Sequence, residues 1–316
     1  MGNKFKDINI LVVGDIMLDS YIYGDTDRIS GEAPVPIVDV SSREWVAGGA
    51  ANVAANIIGL GAKCSLIGRV GYDSRGEKLG KILWEDNIDF HPILSTTLPT
   101  TTKTRVISKH QQLIRFDEEV IDTLIPAQEN FVKNMLLEKI KQYDVIIISD
   151  YGKGCCTFQL CLSLIILAEQ YNIKVLVDPK GDDWSKYNGS YLIAPNIKEL
   201  SQICNCKIEN NNNDDVIRVG KDIYSDYHMD YLLVTRSEKG ATLINKEIEH
   251  HIPSVAKEVF DVSGAGDTMI SVIAVNLACG NSIKESIDMA IKAAGIVIGK
   301  LGTVPITYDE LIVKKE

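Results

Sequence analysis

The stretch Asp144-Val145-Ile146-Ile147-Ile148-Ser149, the apolar-rich segment 157–171 after it, and then Ile173-Lys174-Val175-Leu176-Val177-Asp178 decide the fold class. Each flanking run is short, rich in branched apolar residues and closed by a small or acidic residue. That is the pattern of a strand buried on both faces. The segment between them is long enough for a helix. Strand, helix and strand in this spacing predict a parallel pair joined by a crossover. The rhythm continues outward in both directions. A helix is expected over 127–142, strands over 191–194 and 231–235, and helices over 196–204 and 215–226. A hairpin is expected from 241–245 and 248–252, followed by helices over 264–279 and 283–300. Towards the N-terminus, 8–13 and 63–70 read as strands, 50–60 as a helix of small residues and 74–86 as a further helix. Alternation of this kind predicts an α/β layered domain with a mostly parallel central sheet.

Short strands over 20–23 and 35–40, and a hairpin of 101–108 with 111–116 across Lys109-His110, break the alternation. They predict a small β appendage over one edge, drawn from about 20–41 and 101–116. No Pro-rich or Gly/Ser-rich linker interrupts the chain, so a single domain over 1–316 is expected. The Asn-rich tract 209–215 reads as a surface loop.

Of the 316 residues, 45% are hydrophobic and 24% charged, which excludes a disordered chain, a collagen-like repeat and a small disulfide scaffold. The net charge of −10 disfavours nucleic acid and anionic membranes as partners. An anionic ligand must then be held by local Lys, Arg and backbone N–H groups. Seven cysteines without a C-x-x-C pair read as reduced thiols. Cys155-Cys156 and Cys204-Asn205-Cys206 could bind metal, but no histidine pair is placed to complete a site. No signal peptide or membrane-spanning run is legible, so a cytoplasmic protein is expected.

Asp261-Val262-Ser263-Gly264-Ala265-Gly266-Asp267-Thr268 precedes a strongly apolar helix. Glycines at a helix start leave backbone N–H groups uncovered, and the helix dipole favours a phosphate there. Asp267 in the first turn can face a substrate hydroxyl. Donors beside a base are what phosphoryl transfer to an alcohol needs. By itself the segment also fits an ordinary Gly-rich turn. Neither the dinucleotide fingerprint nor the P-loop is present. Ala47-Gly48-Gly49-Ala50-Ala51-Asn52 allows close ligand approach and offers an amide to sugar hydroxyls, or else serves close helix packing. Asp15 and Asp19 follow the first strand, where ligands of α/β sheets bind.

Gly48-Gly49-x-x-Asn52 near the start, with Asp261-x-x-Gly264-Ala265-Gly266-Asp267 near the end, resembles the paired signature of the PfkB carbohydrate kinases, which have the ribokinase-like fold. Gly14–Asp19, Glu32–Pro36, Gln111–Arg115, Asp150–Gly154, Asp178–Gly181, Val234–Ser237 and Gly299–Thr303 are similar to the heptose-7-phosphate kinases within that family. The resemblance implies a three-layer α/β sandwich with a β-sheet lid. The implied activity is ATP-dependent phosphorylation of the anomeric hydroxyl of D-glycero-β-D-manno-heptose 7-phosphate. The 1,7-bisphosphate formed would feed ADP-heptose and lipopolysaccharide inner-core synthesis.

The resemblance also assigns roles. Asp267 is the general base, and Gly264, Ala265 and Gly266 supply anion-hole amides. Asp19, Gly48, Gly49 and Asn52 hold the sugar, with Asp15 and Asp150 as neighbours. Asn196 and Glu199 organise Mg²⁺ through water. Lys198 and Lys180 meet the ATP phosphates, Ser237 and Gly240 lie along the nucleotide, and Ala293-Ala294-Gly295 border the base. Among the cations Lys103, Arg105, Arg115, Lys153 and Lys180, Lys153 and Arg105 are favoured for the substrate phosphate. A monovalent cation is admitted. A homodimer through the lid is implied, as is a nucleotidyltransferase domain or separate protein, the chain being a stand-alone kinase or a kinase half. Ser263 departs from the threonine common in the family but keeps the hydroxyl. The alternatives are a PfkB kinase for another sugar, and a non-catalytic sugar- or nucleotide-sensing module.

Overall fold

A computed structural model describes residues 4–109, 111–210, 212–256, 259–300 and 302–312. Its strands are β1 (Asn9–Gly14), β2 (Ile16–Ile29), β3 (Pro36–Gly49), β4 (Lys63–Gly71), β5 (Asp89–Ser95), β6 (Thr102–Ser108), β7 (Gln111–Glu118), β8 (Val145–Ser149), β9 (Lys174–Asp178), β10 (Ser190–Ile193), β11 (Met229–Thr235), β12 (Ala241–Ile244) and β13 (Glu249–Ile252). Its helices are α1 (Ala50–Gly59), α2 (Ser74–Glu85), α3 (Pro126–Lys139), α4 (Phe158–Gln170), α5 (Ile197–Ile203), α6 (Asn213–Asp226), α7 (Ala265–Ala278), α8 (Ile283–Val297) and α9 (Tyr308–Ile312).

Nine strands form the main sheet in the order β13-β12-β11-β10-β9-β8-β1-β4-β5. It is parallel from β11 to β5 and antiparallel only at the β11–β12–β13 edge. Side chains alternate across the sheet. Ile10 and Val12 of β1 therefore join a core built with α1, α7 and α8, whereas Leu11 and Val13 join one built with α3, α4 and α6. This is the expected three-layer sandwich. α7 is buried at every position from Asp267 to Leu277, which explains why apolar residues predominate on all its faces.

Two elements escape the sequence reading. β5 carries Pro92, which argues against a strand; it lies at the sheet edge, where a missing N–H is tolerated. The other is α9, only five residues long. The appendage is a separate four-stranded sheet, β3-β2-β6-β7. Its first two strands are longer than expected, running from Ile16↔Gly49 in the body to Ile29↔Pro36 at an exposed tip. At the tip, 35–40 matches an expected strand, whereas 24–29 read as loop because tertiary pairing, not a buried face, holds it extended. The register sets Asp19 beside Lys103, Lys103 beside Asp117, Tyr21 beside Arg105 and Arg105 beside Arg115. These six residues therefore share one face of the lid. Among the described residues no helix is long and apolar enough to cross a membrane.

Candidate active site

The site grows from the C-terminal ends of the central strands. Gly14 pairs with Ser149 and Ser149 with Asp178, which lines up the residues that leave β1, β8 and β9. A Cβ at Gly14 would stand 2.1 Å from the Ser149 carbonyl oxygen, so only glycine allows this approach. α7 starts at the same end of the sheet, capped by Gly264 in the left-handed region (φ 79°).

Asp267, in the first turn of α7, is 5% exposed. The Asn52 amide donates to its Oδ2 at 2.6 Å, and the Tyr151 hydroxyl donates to its Oδ1 at 2.5 Å. The two glycine-lined segments, far apart in sequence, therefore meet at one carboxylate. A buried relay fixes the junction. Asn56 donates to the Asn52 carbonyl at 2.8 Å, and its Oδ1 accepts from Thr268 Oγ1 at 2.9 Å and Ile306 N at 3.0 Å. Burial pushes the Asp267 carboxyl above the ordinary aspartate range, opposed by the hydrogen bonds from Tyr151 and Asn52, with Asp19 adding a further push upward. Burial and the Asp267 charge hold the Tyr151 hydroxyl well above its usual value, so it remains a donor.

This balance sets a pH dependence. Tyr151→Phe removes a bond that favours the charged carboxylate, so the Asp267 carboxyl rises further. The acidic limb of the rate profile is expected to move to higher pH in Tyr151→Phe. A limb unchanged in position would show that Asp267 does not set it.

A cavity of about 190 Å³ opens beside Asp267, lined also by Tyr151, Gly264, Gly266, Asp178, Asn196, Glu199 and Thr235. The first helical turn of α7 has no intrahelical acceptors for its N–H groups. Ala265 N–H makes a 3.3 Å contact with the Val262 carbonyl, so of the three expected anion-hole amides this one already has a local acceptor.

On the lid side, Arg105 Nη1 donates to Asp19 Oδ1 at 2.6 Å, and its guanidinium lies 5.2 Å from the Tyr21 ring centre. Asp19 is buried. Gly48 and Gly49 are required by the protein's own contacts. A Cβ at Gly48 would stand 2.5 Å from Asp19 Oδ2, and one at Gly49 2.5 Å from the Asp15 carbonyl. Lys153 Nζ bonds Glu119 Oε1 at 2.6 Å. Lys103 Nζ stands 3.1 Å from Asp117 Oδ2 and 3.7 Å from Glu119 Oε2. Arg115 pairs with Asp117 at 3.0 Å.

Asp15 and Asp150, expected as neighbours of the sugar, are both engaged within the protein. Asp15 accepts from Tyr151 N, Lys153 N and Cys155 N, each at 2.9 Å. It organises the loop after β8. Asp150 accepts from Lys186 Nζ at 2.5 Å, Tyr187 Oη at 2.6 Å and Gly152 N at 2.7 Å. The hydrogen bonds of both carboxylates are made inside the protein. The ligand-like grouping of Asp15, Asp150 and Cys156 is thus a buried hydrogen-bond network with a cationic ammonium already in it, unsuited to a metal ion.

On the side expected to take the nucleotide, Asn196 and Glu199 form a reciprocal capping box at the start of α5, with bonds of 3.0 Å in each direction. Glu199 Oε1 also accepts from Lys180 Nζ at 3.0 Å. Lys198 is exposed and does not line the cavity. Ser237 and Gly240 form the turn after β11 and also lie outside that lining. Gly240 is demanded by the hairpin, since a Cβ would stand 2.0 Å from the Ile252 carbonyl. Gly295 of α8 faces Val255 and Ala256, with the buried Ala293 and half-buried Ala294 beside it.

Sequence reading assigned no role to Tyr151 or Asp178. Burial, then the Asp267 and Glu199 charges, push the Asp178 carboxyl well above its ordinary value. Both lie in segments singled out by the resemblance, but their roles depend on which strand ends converge. Asp178, Glu199 and Asp267 line this cavity and are hard oxygen donors of the kind Mg²⁺ takes. Both Glu199 oxygens already have partners, which suits contact through water.

Comparison with known proteins agrees. The chain is 46% identical over 310 residues to the bifunctional protein HldE of Haemophilus influenzae strain PittEE, covering 98% of this chain and 63% of that protein. It is 42% identical over 316 residues to the HldE of Actinobacillus pleuropneumoniae, with 98% and 64% covered. The chain thus spans about 63% of the length of these relatives. Phosphofructokinase-2 from Escherichia coli in complex with potassium superposes with a TM-score of 0.80 at 20% identity, over 96% of each chain. Ribokinase from Thermotoga maritima does so with a TM-score of 0.70 at 20% identity, over 96% of this chain and 97% of that one. The profile of the pfkB family carbohydrate kinases matches residues 7–309, and with the HldE identities this shows that the chain belongs to that family.

Proposed function

We propose that this kinase phosphorylates the anomeric hydroxyl of D-glycero-β-D-manno-heptose 7-phosphate with ATP, giving the 1,7-bisphosphate and ADP. The observation that carries the reading is the Asn52–Asp267–Tyr151 junction, which opens on the cavity walled by Asn196 and Glu199. Asp267 takes the proton from O1 as that oxygen attacks the γ-phosphate in line. The α7 amides receive the charge that develops on the transferring group. Asn196 and Glu199 would hold Mg²⁺ through water, and the ion would supply positive charge against the ATP phosphates. Lys180, on Glu199, stands by the nucleotide. Asp19, Gly48, Gly49 and Asn52 face the sugar, and the lid excludes water, whose attack on ATP is the competing reaction.

The sugar phosphate is assigned to Lys153, Lys103 and Arg105. Their ammonium and guanidinium groups now rest on Glu119, Asp117 and Asp19. A phosphate dianion would take over the contacts of Glu119. A homodimer through the lid belongs to the same proposal, supported by exposed Ile29, Ile114 and Phe116. So does a nucleotidyltransferase activity on the same or another chain, supported by the bifunctional HldE relatives.

The test is ADP release with a panel of sugars. The heptose 7-phosphate is expected to exceed ribose, fructose and fructose 6-phosphate in kcat/KM by orders of magnitude. Lys153→Met is expected to raise the KM for the heptose phosphate about tenfold or more, because a charge-assisted bond contributes roughly 1.5–3 kcal/mol. Equal or better turnover of another sugar would replace the assigned substrate.

A further inference from the structure

α5 ends in a tight turn that brings two thiols together. Cys204 caps the helix, and Asn205 takes a left-handed conformation (φ 49°). The Cys206 N–H bonds the Ser201 carbonyl at 3.1 Å, and the Asn205 N–H bonds the Gln202 carbonyl at 3.2 Å. These are the two bonds of a Schellman motif. Reversal of the chain at Asn205 sets its neighbours side by side, with Cys204 Sγ 2.7 Å from Cys206 Sγ.

The other thiols differ. Cys64, Cys155, Cys156 and Cys161 are buried. Cys279 is half-buried, and its Sγ points to the Lys4 carbonyl at 3.8 Å. Among the described residues, Cys204 and Cys206 are the pair that combines a neighbouring sulfur with access to solvent. Cys206 is exposed and Cys204 half-buried. The Arg218 guanidinium is close enough to feel the Cys206 thiol, although it is bonded to Asp215 at 2.5 Å. Two sulfur donors beside a guanidinium do not make a cation site.

We propose that Cys204 and Cys206 form a reversible dithiol–disulfide site that exchanges with low-molecular-weight disulfides of the glutathione class. The Cys206 thiolate attacks one sulfur of glutathione disulfide, its S–S bond breaks, and one glutathione leaves and takes a proton. Cys204 then loses its proton and attacks Cys206 Sγ of the mixed disulfide, expelling the second glutathione. Two cysteines are oxidised and one glutathione disulfide is reduced to two thiols. This order follows from exposure, and burial with the neighbouring Cys206 thiol pushes the Cys204 thiol up to about 11. A ring closed across one residue at an exposed turn belongs with the reducible disulfides rather than the structural ones.

The test incubates the reduced full chain with glutathione disulfide at neutral pH, alkylates the remaining thiols, and maps peptides by mass spectrometry. The wild type is expected to lose both thiols, at 204 and 206, as an internal disulfide free of glutathione, and dithiothreitol is expected to restore them. Cys204→Ser is expected to stop at a glutathione adduct on Cys206, because no resolving thiol remains. A lasting glutathione adduct on Cys206 of the wild type would overturn the proposal. So would two free thiols there under conditions that modify Cys279. The wild-type outcome decides the matter whether or not the variant folds.

Discussion

Asp267→Asn is expected to lower kcat by about 10²–10⁴-fold, the contribution of a positioned general base, while the KM values for sugar and ATP change little. The substitution is nearly isosteric. The introduced side-chain amide could still accept from Tyr151 Oη through its oxygen, but its nitrogen would face the Asn52 nitrogen that now donates to Oδ2. Asn52 can restore a bond by turning its amide around. What cannot be restored is a site for the substrate proton. The acidic limb of the wild-type profile should vanish in the variant, because the group responsible is gone. Its wild-type position should lie above the ordinary aspartate range, since burial raises the Asp267 carboxyl and only the charged form accepts a proton. Steady-state rates across pH, with binding measured by calorimetry, test this directly. A variant turning over at near wild-type speed would remove Asp267 from the chemistry.

Gly264→Ala is expected to be the second most damaging single change, for a backbone reason. At φ 79° an L-residue carries a strain of roughly 1–2 kcal/mol. The added methyl would stand 2.8 Å from Thr303 Cγ2 and 2.9 Å from Asn52 Nδ2. Relief of those contacts must move either the α7 N-terminus or Asn52, and each move disturbs Asp267. Loss of one aligned anion-hole donor alone corresponds to about 10²–10³-fold in kcat. Gly266→Ala is the control. Nothing stands within 4 Å of its added Cβ. Alanine also favours a helix by about 1 kcal/mol over glycine. Thermal melting should therefore show Gly264→Ala destabilised and Gly266→Ala unchanged or stabilised. Activity lost in Gly266→Ala would measure how closely the ligand approaches that turn. Equal melting temperatures for the two variants would contradict the steric account.

The central strands and crossover helices were legible because their signals are local. Val145–Ile148 and Val175–Val177 are apolar without interruption, and both faces of the sheet are in fact covered. β5, the outer half of β2 and the inner half of β3 were not legible, because edge strands and a two-sided lid have no continuous buried face to impose a pattern. Within the site, Asp267, Asn52 and the glycines announced themselves by motif. Tyr151 and Asp178 lie in singled-out segments, yet nothing local distinguishes a hydroxyl that reaches Asp267 from one that reaches solvent. Asp15 and Asp150 show the converse. Their positions at strand ends suit a ligand, but three donors converge on each, all distant in sequence for Asp15 and two of the three for Asp150.

The amino-acid sequence by itself determined the layered α/β architecture, the family and the carboxylate expected to act as base, because periodicity and motif spacing are encoded along the chain. Only the tertiary structure decided which polar groups face the cleft and which are satisfied within the protein. That choice depends on hydrogen bonds between residues as far apart as Asn52 and Asp267. A buried carboxylate takes whichever donors the folded strands bring to it, and sequence separation carries no record of that.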